Sequence, residues 1–137
     1  MKYYYTVNLK LLDTNHFFTN VKINNVSGKF LIDSGASNSC VDLKKAKLFK
    51  LSLESCKEKA ISASNEITKT HISYNNDIKI GEWFVKNYDI ILFDMASINV
   101  AMLKTQNFEI DGIIGADILL ESKATLDFEK KILQLKL

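Results

Sequence analysis

The sequence contains no proline and no arginine, and only five glycines and two cysteines in 137 residues. The lack of proline and the scarcity of glycine exclude collagen-like and proline-rich linker classes. With no arginine, all 18 basic residues are lysines. Lysine is a point charge without the planar fork that reads guanine edges and grips phosphates on two sides. The charges of the two signs, 18 basic and 16 acidic, are mixed along the chain rather than clustered. Specific nucleic-acid binding is therefore not expected. Cys40 and Cys56 are too few for a disulfide framework, and their spacing matches no zinc pattern. Two buried free thiols are the preferred reading, with a single disulfide left open. Long apolar runs are also missing. The longest, such as Ile90 to Phe93, are far too short to cross a membrane, and MKYYYTVNLK has no run of signal-peptide length. The expectation is a cytoplasmic protein without a membrane partner, a secreted mature form being left open.

What is present is ordinary globular composition, with 47% hydrophobic and 25% charged residues. A chain of this length buries about two-thirds of its unfolded surface on folding and makes one self-sufficient domain, here 1–137. Most segments read as short strands. Val21 and Ile23 alternate with Lys22 and Asn24, and Asn24 to Gly28 is a turn cluster leading into Lys29 to Ile32. Ile72, Tyr74, Ile78 and Ile80 alternate with polar neighbours, Gly81-Glu82 turns, and Trp83 to Phe93 follows. Near the end, Thr125 to Phe128, a turn at Lys130-Lys131 and the alternation of Leu133, Leu135 and Leu137 complete the pattern. Helical pieces are expected at Leu43 to Lys50 behind an Asp42 cap, from Ser97 through Met102, and over Ala116 to Glu121. The chain reads as one mainly-β domain with a few short helices.

One segment carries chemistry: Phe30-Leu31-Ile32-Asp33-Ser34-Gly35-Ala36-Ser37. An apolar strand runs straight into a carboxylate, which is expensive to bury unless hydrogen-bonded. Gly35 permits a tight turn, and the hydroxyls of Ser34 and Ser37 stand near enough in sequence to hold the carboxylate in one orientation. A constrained turn presenting a fixed carboxylate is how a general acid or base is built. Asp-Ser-Gly alone is also a common turn. A second segment, Asp111-Gly112-Ile113-Ile114-Gly115-Ala116-Asp117, follows about 80 residues later in the sequence.

Together the two segments resemble the retropepsin-like aspartic proteases, the single-domain relatives of pepsin. There an apolar pair precedes Asp-Thr-Gly or Asp-Ser-Gly, as in Leu31-Ile32-Asp33-Ser34-Gly35-Ala36. A later apolar pair and glycine, here Ile113-Ile114-Gly115, opens a short helix. The tail from Ala124 to Leu135 is similar to that of bacterial members, so the resemblance spans Asn20 to Leu137. It implies a closed β-barrel-like fold with one or two short helices. It implies that Asp33 is the catalytic aspartate, supported by Ser34, Gly35 and Gly115, with Gly115 letting two backbone segments pass closely. Ala36 and Ser37 match positions lining the substrate path. By position, the cleft-covering hairpin is Ala60 to Thr68, with Ser62, Ala63, Ser64 and Asn65 near its tip as substrate contacts.

That chemistry needs two carboxylates, and the chain has one Asp-Ser-Gly. The resemblance therefore implies a homodimer that hydrolyses a peptide or protein substrate, with a water activated between two Asp33 carboxylates. No metal or organic cofactor is expected, because water is the nucleophile. The strand Leu133 to Leu137, read as an exposed apolar edge, is the expected dimer element. The alternatives are a non-catalytic peptide-binding domain of the same fold, an assembly domain in which Asp-Ser-Gly is only a turn, and a protease protomer needing a different partner chain. His16 and His71 stand alone and are assigned no ligand role. Cys40, Trp83, Phe84 and Tyr88 are expected in the core or cleft wall, and Asp117 in a structural hydrogen bond.

Overall fold

The computed structural model describes residues 4–61, 67–104 and 108–136, without the side chains of 55–61 and 67–69. In chain order the elements are β1 (Tyr4–Asn8), β2 (Lys10–Leu11), β3 (Phe17–Ile23), β4 (Val26–Ile32), β5 (Cys40–Asp42), β6 (Glu54–Ile61), β7 (Ile67–Ile80) and β8 (Trp83–Phe93). They continue with α1 (Ala96–Leu103), β9 (Gly112–Ile114), α2 (Ala116–Glu121), β10 (Thr125–Asp127) and β11 (Ile132–Lys136).

Turn chemistry fixes the hairpins. Asn24 and Asn25 both adopt left-handed backbone (φ 49° and 68°), so Ile23 pairs with Val26 across a two-residue turn. Asparagine tolerates this region because its short side chain hydrogen-bonds locally, and two such residues match the strand twist. The Asn24 side chain also donates to Phe49 O at 2.9 Å. Gly81-Glu82 forms the second tight turn, between Ile80 and Trp83.

The strands β3, β4, β9, β5, β8 and β7 follow one another in the sheet, and β3 pairs back onto β7 through Lys22–Lys79 and Ile23–Ile78. The result is a closed six-stranded barrel, with β6 and β2 appended. Its core holds Val21, Phe30, Ile78, Ile90, Leu92 and Ile114, and Phe30 meets Phe49 edge-on at 6.0 Å. Between the barrel and α1 lies a second cluster that includes Phe18, Leu31, Cys40, Met95 and Ile110. β4 sends Phe30 and Ile32 to the first cluster and Leu31 to the second. Burial on both faces is why Phe30 to Ile32 is continuously apolar instead of alternating.

The structure departs from the sequence expectations in three places. The helix expected over Leu43 to Lys50 is only a 3-10 turn, Leu43–Lys45, capped by Asp42 Oδ1 accepting from Lys44 N–H at 3.3 Å. Fully buried Phe49 must re-enter the barrel and Lys50 adopts φ 57°, so the chain turns before an α-helix can propagate. The second departure is at α1, expected to start at Ser97. The helix begins one residue earlier, with Asp94 Oδ1 accepting the Ala96 N–H at 2.9 Å. Finally, β11 is no exposed edge. It is the central strand of a three-stranded sheet, paired with β1 over Tyr4–Lys136 to Asn8–Ile132 and with β10 over Thr125–Gln134 to Asp127–Ile132. Both of its edges are taken within the chain, and Leu133 and Leu135 are fully buried.

Candidate active site

Asp33 follows directly on β4. Its N–H donates to Ile114 O at 2.9 Å, extending the parallel β4–β9 ladder by one residue. The chain then turns sharply, with Ala36 N–H donating to Asp33 O at 3.1 Å. Gly35 N–H donates to Asp33 Oδ1 at 2.9 Å. This bond orients the carboxyl group. Neither the Ser34 nor the Ser37 hydroxyl hydrogen-bonds to it among the described residues, contrary to the role their positions suggest. A Cβ at Gly35 would stand 3.1 Å from Asp33 Oδ1, so the glycine makes room for the carboxylate itself. Asp33 is half-buried, and Ser34, Gly35 and Ser37 are exposed. The acid group is thus fixed on one side and open on the other.

The loop rests on the start of α2. Ala116 N–H donates to Ala36 O at 2.7 Å. Beneath it, Gly115 lies so close that a Cβ there would stand 2.6 Å from Ala36 O and 2.9 Å from Asn38 O. Only glycine permits this crossing. Gly115 N–H donates to Ser39 Oγ at 2.8 Å. Ser39 in turn donates through Oγ at 2.7 Å and through its N–H at 2.9 Å to Asp117 Oδ1, and the Tyr88 hydroxyl reaches Asp117 Oδ2 at 3.0 Å. Ser39 and Tyr88 are the members that sequence reasoning missed. The available signal was the polar run Ser37-Asn38-Ser39 entering an apolar strand, since a hydroxyl there needs a partner when buried.

Burial sets the neighbouring titrations. The Cys40 thiol, buried beneath the loop, is pushed up to about 12 by desolvation, with Asp117, Asp33 and Asp42 adding in the same direction. It is a neutral core group, not a nucleophile. Burial and then the Asp117 carboxylate raise Tyr88 well above the ordinary tyrosine range, so its hydroxyl stays a donor. Trp83 is buried, whereas Phe84 is exposed, against the expectation of core or cleft wall.

The residues expected at the hairpin tip, Ser62, Ala63, Ser64 and Asn65, lie outside the described residues. The strands on either side, β6 and β7, pair antiparallel through Ile61–Ile67, Ala60–Thr68 and Lys59–Lys69. Among the described residues no group of three or more His, Cys, Asp or Glu is placed to hold a metal ion.

Comparison with known proteins agrees with this geometry. Residues 19–118, most of the chain, match the family model described as aspartyl protease. No curated protein gives a significant match. Among solved structures, a retropepsin-like aspartic protease from Rickettsia conorii superposes with a TM-score of 0.64 at 19% identity, covering 98% of this chain and 92% of that one. The EIAV protease in complex with the inhibitor HBY-793 gives 0.60 at 19% identity, covering 81% and 91%. The retroviral protease-like domain of Ddi1 from Leishmania major gives 0.57 at 16% identity, covering 92% and 88%. At such identities the structures speak for the fold, and the family model for the lineage: the chain has the retropepsin-like fold and belongs to the aspartyl protease family.

Proposed function

We propose that the protein is an aspartic endopeptidase that acts as a homodimer on extended peptide or protein substrates. The observation that carries this reading is the Asp33 turn: a carboxylate oriented by Gly35 N–H, left open on its outer side, and braced from below by Gly115 and Ala116. One such carboxylate per chain is half of the required machinery. Two protomers related by a twofold axis bring two Asp33 groups together, and the pair shares one proton because two like charges at that distance do not both ionise. The ionised member takes a proton from a bound water, which attacks the scissile carbonyl while the protonated member hydrogen-bonds to the carbonyl oxygen. The proton then passes to the leaving amine as the C–N bond breaks.

Ala36 and Ser37 stand beside Asp33, where they line the substrate path in this reading. Ser34 makes no hydrogen bond within the described residues of its own protomer, which leaves its hydroxyl for the facing loop. The same geometry supports one face for the dimer in this reading. Ser34 borders an apolar groove of ≈ 380 Å³ lined by Leu119, Leu126 and the strongly exposed Leu120 and Phe128 (77% and 69%). A twofold axis between the Asp33 groups passes close to this groove, so the second copy covers it. The β11 edge is not available for that purpose.

Digestion of a diverse peptide library from acid to neutral pH, read by mass spectrometry beside Asp33→Asn, tests the proposal. Cuts made by the wild type, strongest on the acid side and absent from the variant, are expected. Cuts that persist in Asp33→Asn would overturn the mechanism. No cuts from folded, dimeric wild type would overturn the activity.

A further inference from the structure

The β7–β8 hairpin carries, near its Gly81-Glu82 turn, a charge arrangement that folding does not explain. Lys22 of β3 stands directly opposite Lys79 of β7, and Lys79 directly opposite Phe84 of β8. Directly opposed residues share a face, so two ammonium groups and an aromatic ring form one row across three strands. Lys86 and Asp77, two residues along β8 and β7, point to the same side. All five are exposed, Phe84 at 54%. Like charges facing each other destabilise a sheet. The ion pairs found among the described residues belong to Lys45, and none relieves Lys22, Lys79 or Lys86. These side chains line a cavity of ≈ 450 Å³ in which three ammonium groups face the single carboxylate of Asp77.

The row ends at an open strand edge. β5 pairs with β8 only over Ile91 to Phe93, so from Trp83 to Lys86 the outer edge of β8 has no partner strand among the described residues. Left-handed Asn87 (φ 57°) ends this regular stretch. An unpaired edge offers backbone donors and acceptors to an incoming extended chain. Side chains of that chain would continue the row beyond Phe84 and beside Lys86.

We propose that this edge binds an acidic, extended peptide segment of a partner protein by strand addition along Trp83 to Lys86. An apolar side chain of the peptide rests beside Phe84 and a carboxylate two residues along meets Lys86, while Lys79, one strand further in across Phe84, adds to the positive field. The two-residue period of the strand places an apolar and an acidic residue on this face when they are two positions apart. Other occupants fit less well. A second copy of this chain paired edge to edge would supply the same lysines from both sides of the seam. A nucleic acid gains nothing from the backbone edge, meets Asp77, and finds no arginine. The site is separate from Asp33, and the inference stands whether or not the protein cuts peptides.

The test is fluorescence anisotropy on the full chain at low salt, with a labelled peptide carrying glutamate two positions to either side of a central phenylalanine. Three probes accompany it: the lysine-for-glutamate version, the same peptide N-methylated at alternate residues, and a single-stranded RNA of equal charge. Binding of the acidic peptide alone is expected, lost on N-methylation. Lys79→Glu with Lys86→Glu should weaken it about tenfold or more, and Phe84→Ala several-fold. These side chains are exposed, and the neutral pair Lys79→Gln with Lys86→Gln, weaker than wild type but tighter than the glutamate pair, separates charge from misfolding. Three outcomes would overturn the proposal: no binding by the wild type, affinity unchanged in the charge-reversed protein, or RNA binding equal to that of the peptide and lost in the same variants.

Discussion

Gly115 is the residue on which the Asp33 loop rests, and its replacement isolates the close crossing from the chemistry. In Gly115→Ala the new methyl would stand 2.6 Å from Ala36 O and 2.9 Å from Asn38 O, and both obstacles are backbone. The loop must lift or the helix must shift, at a cost of about 1–3 kcal/mol by analogy with overpacked cores. Urea denaturation of Gly115→Ala should show this loss, and proteolytic activity should fall further than stability alone accounts for, because Asp33 hangs on the displaced turn. A second expectation concerns alkaline pH. The Cys40 thiol rises from an ordinary value of 9.0 to about 12 in the folded protein, and Tyr88 is raised as well. A folded-state value above the unfolded one means that the native state holds its proton longer. The stabilisation is complete below pH 9.0 and is lost as pH climbs toward 12. Urea midpoints should therefore decline above pH 9, and the decline should be shallower in Cys40→Ala than in the wild type. Equal slopes would show that the thiol takes no part.

At the level of elements, β11 decides between two views of the C-terminal strand. As the centre of the β1–β11–β10 sheet it is core, so Leu133→Ala should destabilise the protomer by about 2–5 kcal/mol. A dimer-edge strand would instead leave the protomer's stability intact and shift only association. Denaturation at several protein concentrations separates the two, since a core loss persists at high dilution. The alternation of Leu133 and Leu135 with polar neighbours was legible, because a strand with one buried face shows itself by period. Which neighbours flank it was not, because pairing with Tyr4 to Asn8 is a contact across nearly the whole chain and leaves no local mark. The same division runs through the site. Asp33-Ser34-Gly35 and Ile113-Ile114-Gly115 are contiguous motifs and could be read directly, as could α2 at Ala116–Glu121, whose bounds match the expectation. The Ser39–Asp117–Tyr88 network joins three distant segments, and each member looks ordinary alone. Over Leu43 to Lys50 the helical periodicity was misleading. Phe49 is apolar because it fills the barrel beside Phe30, not because it lies on a helix face.

For the molecule as a whole, the distribution of exposed apolar surface argues for assembly around Asp33. β11 is paired on both sides, by β1 and β10, so association by this strand would first have to break pairing the protomer already owns. The groove beside Ser34 requires no such rupture. Leu120 and Phe128 are largely exposed in the protomer, Phe128 with one side against Phe17, and covering them removes apolar area from water at about 25 cal/mol per Å². In a twofold arrangement each protomer contributes the same patch, so one substitution acts twice. Leu120→Lys places two ammonium groups at that seam. The protomer should fold as before, because a side chain 77% exposed contributes little to its core. Sedimentation velocity should show a shift from dimer to monomer. Activity should fall with it and recover in part at high protein concentration, as expected when the active site is assembled by association. A variant that remains dimeric and fully active would place the interface on another face while leaving the role of Asp33 untouched. A wild type that is monomeric and still cleaves peptides would instead remove the need for a second Asp33.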